Sequence, residues 1–115
     1  MQTAYSALIN PGGHMQNQAF IVTGADRPDG RARAEFYIAN GARVMLVGAD
    51  YAACRRAALM LGQRAATLDA DVSSAAGWLG VVRATLGMFG RIDDVYNDGS
   101  IHDPAREAEP MLNSA

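Results

Sequence analysis

The sequence predicts an α/β fold, in which about four parallel strands form a doubly wound sheet covered by three helices. Two apolar runs without polar alternation, AFIV and VMLV, are typical of strands that are buried on both faces. Strand, glycine turn and helix follow one another along the chain, which favours right-handed crossovers between parallel strands. An all-helical bundle is the alternative, but both runs are short and partly β-branched, which favours the sheet.

The composition is that of an ordinary globular chain. Of 115 residues, half are hydrophobic and 19% are charged, and the formal net charge is −2. No basic surface is indicated that would suit nucleic acid, and no segment approaches the roughly 20 apolar residues of a membrane span. Cys54 is the one cysteine, which fits a reducing compartment. We therefore predict a cytoplasmic protein with neither nucleic acid nor a membrane as its partner.

The predicted domain organisation is one domain with two tails. The Pro11-Gly12-Gly13 cluster predicts a flexible join, so residues 1–15 are interpreted as a leader or flexible tail. Residues 16–104 carry the strand and helix patterns and are small for a complete nucleotide-dependent enzyme. Residues 105–115 are predicted to be a frayed C-terminal tail.

Seven elements are predicted, and their ends carry recognisable signals. Asn40-Gly41 and Gly62 are expected to end helices, and Asp50 is expected to cap one. In chain order the predicted elements are the strand 19–22, the helix 31–39, the strand 44–47, the helix 51–61, the strand 65–68, a helix capped by Ser73 or Ser74, and the strand 92–96.

Two helix faces are predicted to pack against the sheet. On the first helix these are Phe36 with Ile38, or Phe36 with Tyr37. On the third helix, four apolar residues recur close to the helical period. They are Trp78, Leu79, Val82 and Leu86.

Five short motifs accompany the predicted strands. TGADRPDGRA follows the first strand, NGARVMLVG contains the second, DADVS follows the third, FGRID precedes the fourth and YNDG follows it. Together they resemble the short-chain dehydrogenase/reductase family over residues 18–104. The resemblance implies the N-terminal, cofactor-binding half of that family, with a partial Rossmann-type sheet and a nicotinamide dinucleotide as cofactor.

The glycine loop of this family has the pattern Thr-Gly, three variable residues, Gly, one variable residue, Gly, which maps onto Thr23, Gly24, Pro28 and Gly30. Gly24 is expected to allow a tight turn, and Gly30 lets the helix begin close to the sheet. Pro28 departs from the pattern, since it removes an N–H donor, adds a ring and disfavours a helical Arg27. The glycine motif is therefore degenerate.

Two carboxylates in the same loop are expected to oppose a phosphate. Asp26 and Asp29 place negative charge beside a negative ligand, and each contact within a few ångströms costs on the order of 1 kcal/mol even with generous screening. Pro-Asp-Gly is also a good turn sequence, and Asp29 is a good helix cap. In that alternative the loop satisfies its own free N–H groups with the Asp29 carboxylate.

Two positions bear on the choice of cofactor. Gly48 lies where NAD-preferring relatives carry an acid that accepts the ribose hydroxyls and repels a 2′-phosphate. Arg27 lies where NADP-preferring relatives often carry a basic residue. The resemblance therefore implies NADP(H) rather than NAD(H), and Asp50 is interpreted as a helix cap rather than as a displaced ribose ligand.

Further cofactor contacts are implied after the third and fourth strands. Asp71, followed by Val72, matches the family residue that contacts the adenine ring, with a purely structural loop role as the alternative. Asn97 and Gly99 match the family's Asn-Asn-Ala-Gly motif, in which Asp98 takes the place of alanine. The predicted cofactor-binding residues are Thr23, Gly24, Arg27, Gly30, Asp71, Val72, Asn97 and Gly99.

The fourth strand is predicted to be one residue shorter than in the family. Because strand side chains alternate between faces, this difference predicts that Asp94 points inward or that the strand bulges. The acidic pair Asp93-Asp94 is interpreted as a solvated strand entry rather than as a general acid/base pair.

No catalytic residue is predicted. Hydride transfer in the resembled family uses a serine, a tyrosine and a lysine four residues after the tyrosine, all beyond the fourth strand. The chain contains no lysine, and its Tyr-x-x-x-basic match, Tyr51 with Arg55, lies on the wrong helix. His14 and His102 are isolated, so no metal site is predicted either.

These observations give one leading hypothesis and two alternatives. The leading hypothesis is a truncated or degenerate oxidoreductase of this family, with at most weak NADP(H) binding and no hydride transfer of its own. The first alternative is a non-catalytic interaction module, which pairs through an exposed sheet edge with a second copy or with a completing chain. The second is a gene fragment without a selected function.

Overall fold

The computed structural model describes residues 15–98. Four strands and three helices alternate along this part of the chain, as predicted. They are β1 (Ala19–Val22), α1 (Pro28–Ala39), β2 (Arg43–Leu46), α2 (Tyr51–Leu61), β3 (Ala65–Thr67), α3 (Ala75–Phe89) and β4 (Asp94–Tyr96). Gly99 and the predicted tails, apart from Met15, lie outside the described residues. Met15 packs against the core.

The strands form one parallel sheet with the order β3-β2-β1-β4. Val22, at the end of β1, pairs with Leu46 on one side and with Tyr96 on the other. The carboxyl ends of the strands therefore meet at one edge of the sheet. Between β1 and β4 the direction of the strand order reverses, which is the point where open α/β sheets bind their ligands.

The sheet is covered on both faces. On one face, Phe20 and Val22 pack with residues of α1 and α2, and Phe20 stacks on Tyr37 with ring centroids 4.0 Å apart. On the other face, Ile21 and Met45 pack with Val81 of α3. Burial on both sides explains why the central strands are continuous apolar runs.

The helix ends follow the predicted signals, with one difference. Asp50 caps α2 by accepting a hydrogen bond from the Ala53 N–H at 3.0 Å, and Ser74 caps α3 in the same way. The first helix begins at Pro28, three residues before its predicted start. Proline suits the first helical position because its fixed φ matches the helix and its missing N–H has no intrahelical partner there.

One predicted contact of α1 is wrong. Tyr37 and Ile38 are buried against the sheet, whereas Phe36 is 49% exposed. Tyr37 lies with Ile38 on the sheet-facing side of α1 because its ring stacks on Phe20 of β1. Phe36 contacts only the tilted Tyr37 ring among the aromatic side chains of the described residues.

The predicted inner face of α3 is also partly wrong. Leu79 and Leu86 are 47% and 45% exposed, whereas Val81 and Thr85 are fully buried. Trp78 and Phe89 lie partly buried against the same cluster as Val81, so the inward positions are spaced by three, four and four residues.

The prediction that Asp94 points inward or that the fourth strand bulges is wrong. Asp94 is exposed, and the residues from Asp94 to Tyr96 pair one to one with β1, which leaves no bulge. The neighbouring Asp93 is the anchored residue of the acidic pair. Its carboxylate accepts a hydrogen bond from the Ala19 N–H at 2.8 Å and forms an ion pair with Arg91. Asp93 therefore joins the start of β1 to the segment before β4.

Among the helices of residues 15–98, none has the length and apolar character that crossing a membrane requires.

Candidate functional site

The loop after β1 forms one side of the candidate site. Gly24 has a φ of +63°, a left-handed conformation that favours glycine. A Cβ atom at Gly30 would lie 2.2 Å from the Gly24 carbonyl oxygen, so α1 begins in direct contact with the loop. Both glycines are therefore placed as the family pattern requires.

Pro28 changes the beginning of α1. Arg27 is the residue before the helix and is extended, with φ −107° and ψ 158°, as expected before proline. Its side chain makes no capping hydrogen bond. Asp29 is the second helical residue, so the prediction that it caps the helix is wrong: the helix has already begun at Pro28. The Asp29 carboxylate lies instead in the first turn, where it complements the helix dipole.

Thr23 and Asp98 join the ends of β1 and β4. The Asp98 backbone N–H donates to the Thr23 hydroxyl at 2.9 Å. The hydroxyl lies 3.0 Å from the Asp98 Oδ1 and 3.1 Å from the Tyr96 carbonyl oxygen. Thr23 is fully buried, so this pair fixes the bottom of the crevice between the two strands.

The Asp98 carboxylate lies directly against the glycine loop. A Cβ atom at Gly24 would meet the Asp98 Oδ2 at 1.9 Å. The Asp98 side chain is 12% exposed, and its Oδ2 lies 4.0 Å from the Nε of Arg27. The chain thus places its own carboxylate, partly balanced by one guanidinium, at the reversal point of the sheet.

A cavity of about 400 Å³ lies beside the ends of β2 and β3, and Asp71 and Val72 both line it. Val72 is buried. The Asp71 carboxylate accepts hydrogen bonds from the Ser73 hydroxyl and N–H, and these bonds lower the pKa of Asp71. The carboxylate therefore has a structural role in the loop as well as a place at the cavity. Its lining residues are Gly48, Ala49, Asp69, Ala70, Asp71, Val72 and Ser73.

Asp26 reaches across to the end of β2. A Cβ atom at Gly48 would lie 2.3 Å from the Asp26 Oδ1, and the Asp26 Oδ2 accepts a hydrogen bond from the Asp50 N–H at 3.1 Å. Sequence reasoning treated Asp26 only as a charge opposing phosphate and missed this position. The sequence signal for this position was a glycine at residue 48, where NAD-preferring relatives carry an acid, together with an acid in the loop after β1. The two positions are 22 residues apart.

Cys54 lies beneath the same corner. It is buried, and its Sγ is 3.0 Å from the Cβ position of Gly48. Burial raises the pKa of its thiol to about 11, with smaller contributions from the Asp26 and Asp50 carboxylates. A thiol with this pKa stays protonated near neutral pH, which fits a buried side chain that packs as an apolar group.

The predicted cofactor residues fall into two groups along the carboxyl edge of the sheet. Residues of the first group lie in the β1 loop and after β4, and Asp71 and Val72 form the second at the cavity. Gly99 lies outside the described part of the chain. The first group of predicted cofactor residues consists of Thr23, Gly24, Arg27, Gly30 and Asn97.

Within residues 15–98 there is no group of three or more potential metal ligands.

Comparisons with known proteins agree with this geometry. Over 91 residues the chain is 33% identical to galactitol 2-dehydrogenase from Agrobacterium fabrum, a match covering 79% of this chain and 36% of that protein. It also matches the solved short-chain dehydrogenase/reductase (glucose/ribitol dehydrogenase) from Brucella melitensis, at 35% identity and a TM-score of 0.69. That match covers 72% of this chain and 36% of the other. This chain carries the N-terminal portion of the short-chain dehydrogenase/reductase fold.

A third matching protein was solved with a cofactor bound to it. A 3-ketoacyl-(acyl-carrier-protein) reductase from Brucella melitensis, solved with NADH, is 31% identical with a TM-score of 0.68, covering 70% of this chain and 33% of that one. No family profile matches the chain. The chain spans only 36% of the length of the curated dehydrogenase that it matches.

Proposed function

We propose that this chain is the cofactor-binding portion of a short-chain dehydrogenase/reductase-type oxidoreductase, that it binds nicotinamide dinucleotides weakly, and that it transfers no hydride unaided. One observation carries the proposal: the Asp98 carboxylate lies on Gly24 at the reversal point of the sheet. The fold supplies a dinucleotide crevice, and the chain places a negative charge in it.

The two ends of the crevice fit a dinucleotide unequally. The cavity beside Gly48 and Val72 has room for an adenosine group. At the glycine loop, Pro28 removes one of the N–H donors that would face a pyrophosphate, and the Asp98 carboxylate covers the loop. Each like-charge contact within a few ångströms costs on the order of 1 kcal/mol. Arg27, with its Nε 4.0 Å from Asp98, offsets part of this repulsion.

The proposal of binding without turnover rests on composition. Short-chain dehydrogenases use a tyrosine whose pKa is lowered by a lysine, and the 115 residues contain no lysine. Arginine does not replace that lysine because its guanidinium has a different shape and hydrogen-bonding geometry. The expected signature is therefore nucleotide binding in the absence of NADH consumption by the isolated chain.

The choice between NAD(H) and NADP(H) depends on two neighbouring side chains of opposite charge. Arg27 supports the preference for NADP(H) that the sequence implies, because its side chain is 66% exposed and can contact a 2′-phosphate. Asp26 supports the opposite preference, because its carboxylate lies over Gly48. The two residues make opposite, separately testable contributions.

Titration of the full chain with NADH, followed by amide NMR shifts, tests the proposal. Asp98→Ala removes the carboxylate and is expected to tighten NADH binding about fivefold, the equivalent of one relieved like-charge contact. Asp98→Asn, which keeps the volume but not the charge, should give most of that gain. Asp94→Ala removes an equal charge from an exposed position and serves as the control. Equal affinities of Asp98→Ala and Asp94→Ala would contradict the proposal.

A second candidate function is self-association with another copy of this chain. β4 is the last strand of the described sheet, so its outer edge has no strand beside it within residues 15–98. Leu79, Leu86 and Met88 of α3, which packs on the same sheet, are all substantially exposed. Sedimentation velocity over a range of concentrations tests this candidate. Leu86→Arg should abolish association, whereas Leu59→Arg, at an exposed position of α2, should not. A monomer at every concentration would exclude this candidate.

A further inference from the structure

A carboxylate from one loop fills the side-chain space of a glycine in another. Gly48 follows the buried Val47 at the end of β2 and has no side chain of its own. The Asp26 Oδ1 lies 2.3 Å from where its Cβ would be, closer than two such atoms approach. Any side chain at residue 48 would therefore displace Asp26, so the glycine and the carboxylate belong to one arrangement.

The orientation of this carboxylate is fixed by the backbone. The Asp26 Oδ2 accepts a hydrogen bond from the Asp50 N–H at 3.1 Å. Asp50 in turn is held at the start of α2, where its side chain caps the helix through the Ala53 N–H. Asp26 thus has one oxygen engaged by the protein, and the other lies over Gly48.

The position matters because of what it adjoins. Gly48 also lines the cavity of about 400 Å³ beside β2 and β3. In dinucleotide-binding folds an acid near the end of β2 accepts hydrogen bonds from the ribose hydroxyls of the adenosine half. A carboxylate suits a pair of hydroxyls because it is an acceptor with several lone-pair sites, and its charge opposes a 2′-phosphate.

We infer that Asp26 is the specificity-determining residue of this site and selects a ribose 2′-hydroxyl over a 2′-phosphate. From the loop after β1, it takes the place of the ribose-binding acid that Gly48 lacks. The inference rests on the proposed dinucleotide binding. It predicts NAD(H) over NADP(H), the opposite of the preference that Arg27 implied from sequence. Arg27 lies near Asp98, whereas the Asp26 carboxylate lies over Gly48, which lines the cavity together with Asp69 and Asp71.

The test compares dissociation constants of the full chain for NADH and NADPH, measured by amide NMR shifts up to millimolar nucleotide. Wild-type protein is expected to bind NADH about fivefold tighter than NADPH, as for one like-charge contact. Asp26→Asn preserves the shape and an oxygen for the Asp50 N–H but removes the charge, and it should bring the ratio close to one. Asp94→Asn changes the net charge equally and should leave the ratio unchanged.

The outcomes separate this inference from the proposed function. Saturable binding with a ratio that Asp26→Asn leaves unchanged, or a wild-type preference for NADPH, overturns the role of Asp26 alone. Absence of saturable shifts with either nucleotide, in both the wild type and Asp98→Ala, overturns dinucleotide binding and this inference with it. Arg27→Gln provides a further contrast, because it should weaken NADPH binding more than NADH binding only if Arg27 determines the preference.

Discussion

The Thr23 hydroxyl and Asp98 are bonded to each other in both directions across 75 residues of sequence. The Asp98 N–H donates to the hydroxyl oxygen at 2.9 Å, and that oxygen lies 3.0 Å from the Asp98 Oδ1. The hydroxyl carries one hydrogen, so the carboxylate and the Tyr96 carbonyl compete for it. This pair closes the bottom of the crevice and holds the carboxylate of Asp98 over Gly24.

Removing the hydroxyl should destabilise the fold. Thr23→Val keeps the shape of a fully buried side chain but leaves the Asp98 N–H without its acceptor, and we expect a loss of about 1–3 kcal/mol in the free energy of unfolding. Thr67→Val is the matched control, because the half-buried Thr67 hydroxyl donates one bond, to the Leu46 carbonyl at 2.8 Å. Urea unfolding measures both variants. A larger loss for Thr67→Val would contradict the importance of the Thr23–Asp98 pair.

The Cys54 thiol should be nearly inert in the folded protein. Burial, with help from the Asp26 and Asp50 carboxylates, raises its pKa to about 11, so at pH 8 roughly one thiol in 1,000 is ionised. A disulfide reagent should modify Cys54 slowly at pH 8 and rapidly once denaturant exposes it. The rate for the folded chain should also rise in Asp26→Asn, because one of the two carboxylates is then neutral. Equal rates in folded and denatured protein would contradict the buried position.

Asp93 should contribute to the loss of stability in acid. The ion pair with Arg91 and the hydrogen bond from the Ala19 N–H lower the pKa of Asp93 in the folded state. Its stabilisation is therefore complete above the ordinary aspartate pKa and is lost as the pH falls below about 4 through the lowered value. Asp93→Asn should be less stable than wild type at pH 7 and approach it at low pH. Urea midpoints across this range provide the measurement, with Asp94→Asn as the control.

Local signals predicted the parts of the fold that depend on neighbouring residues. AFIV gave the bounds of β1, and Asp50 and Gly62 marked the ends of α2, because strand burial and helix capping involve residues a few positions apart. The beginning of α1 was misplaced because Pro28 was treated as a loop defect rather than as a first helical residue.

Local sequence signals could not predict contacts between segments that are distant in sequence. Asp98 against Gly24, and Asp26 over Gly48, join loops that meet only when the parallel strands align their carboxyl ends. The inner face of α3 was misjudged for a related reason. Its glycines, including Gly80 and Gly87, weaken the apolar pattern, so packing against the sheet rather than periodicity determines which side is buried.

Thermal unfolding of the full chain, followed by far-ultraviolet circular dichroism with and without 5 mM NADH (about five times a dissociation constant near 1 mM), tests dinucleotide binding most directly. A cooperative transition is expected, and NADH should stabilise the folded state by about 1 kcal/mol and raise the midpoint by roughly 4–8 °C. Asp98→Ala should show a larger rise than wild type at the same concentration. A cooperative transition that NADH moves in neither protein would contradict a dinucleotide site at the ends of β1 and β4.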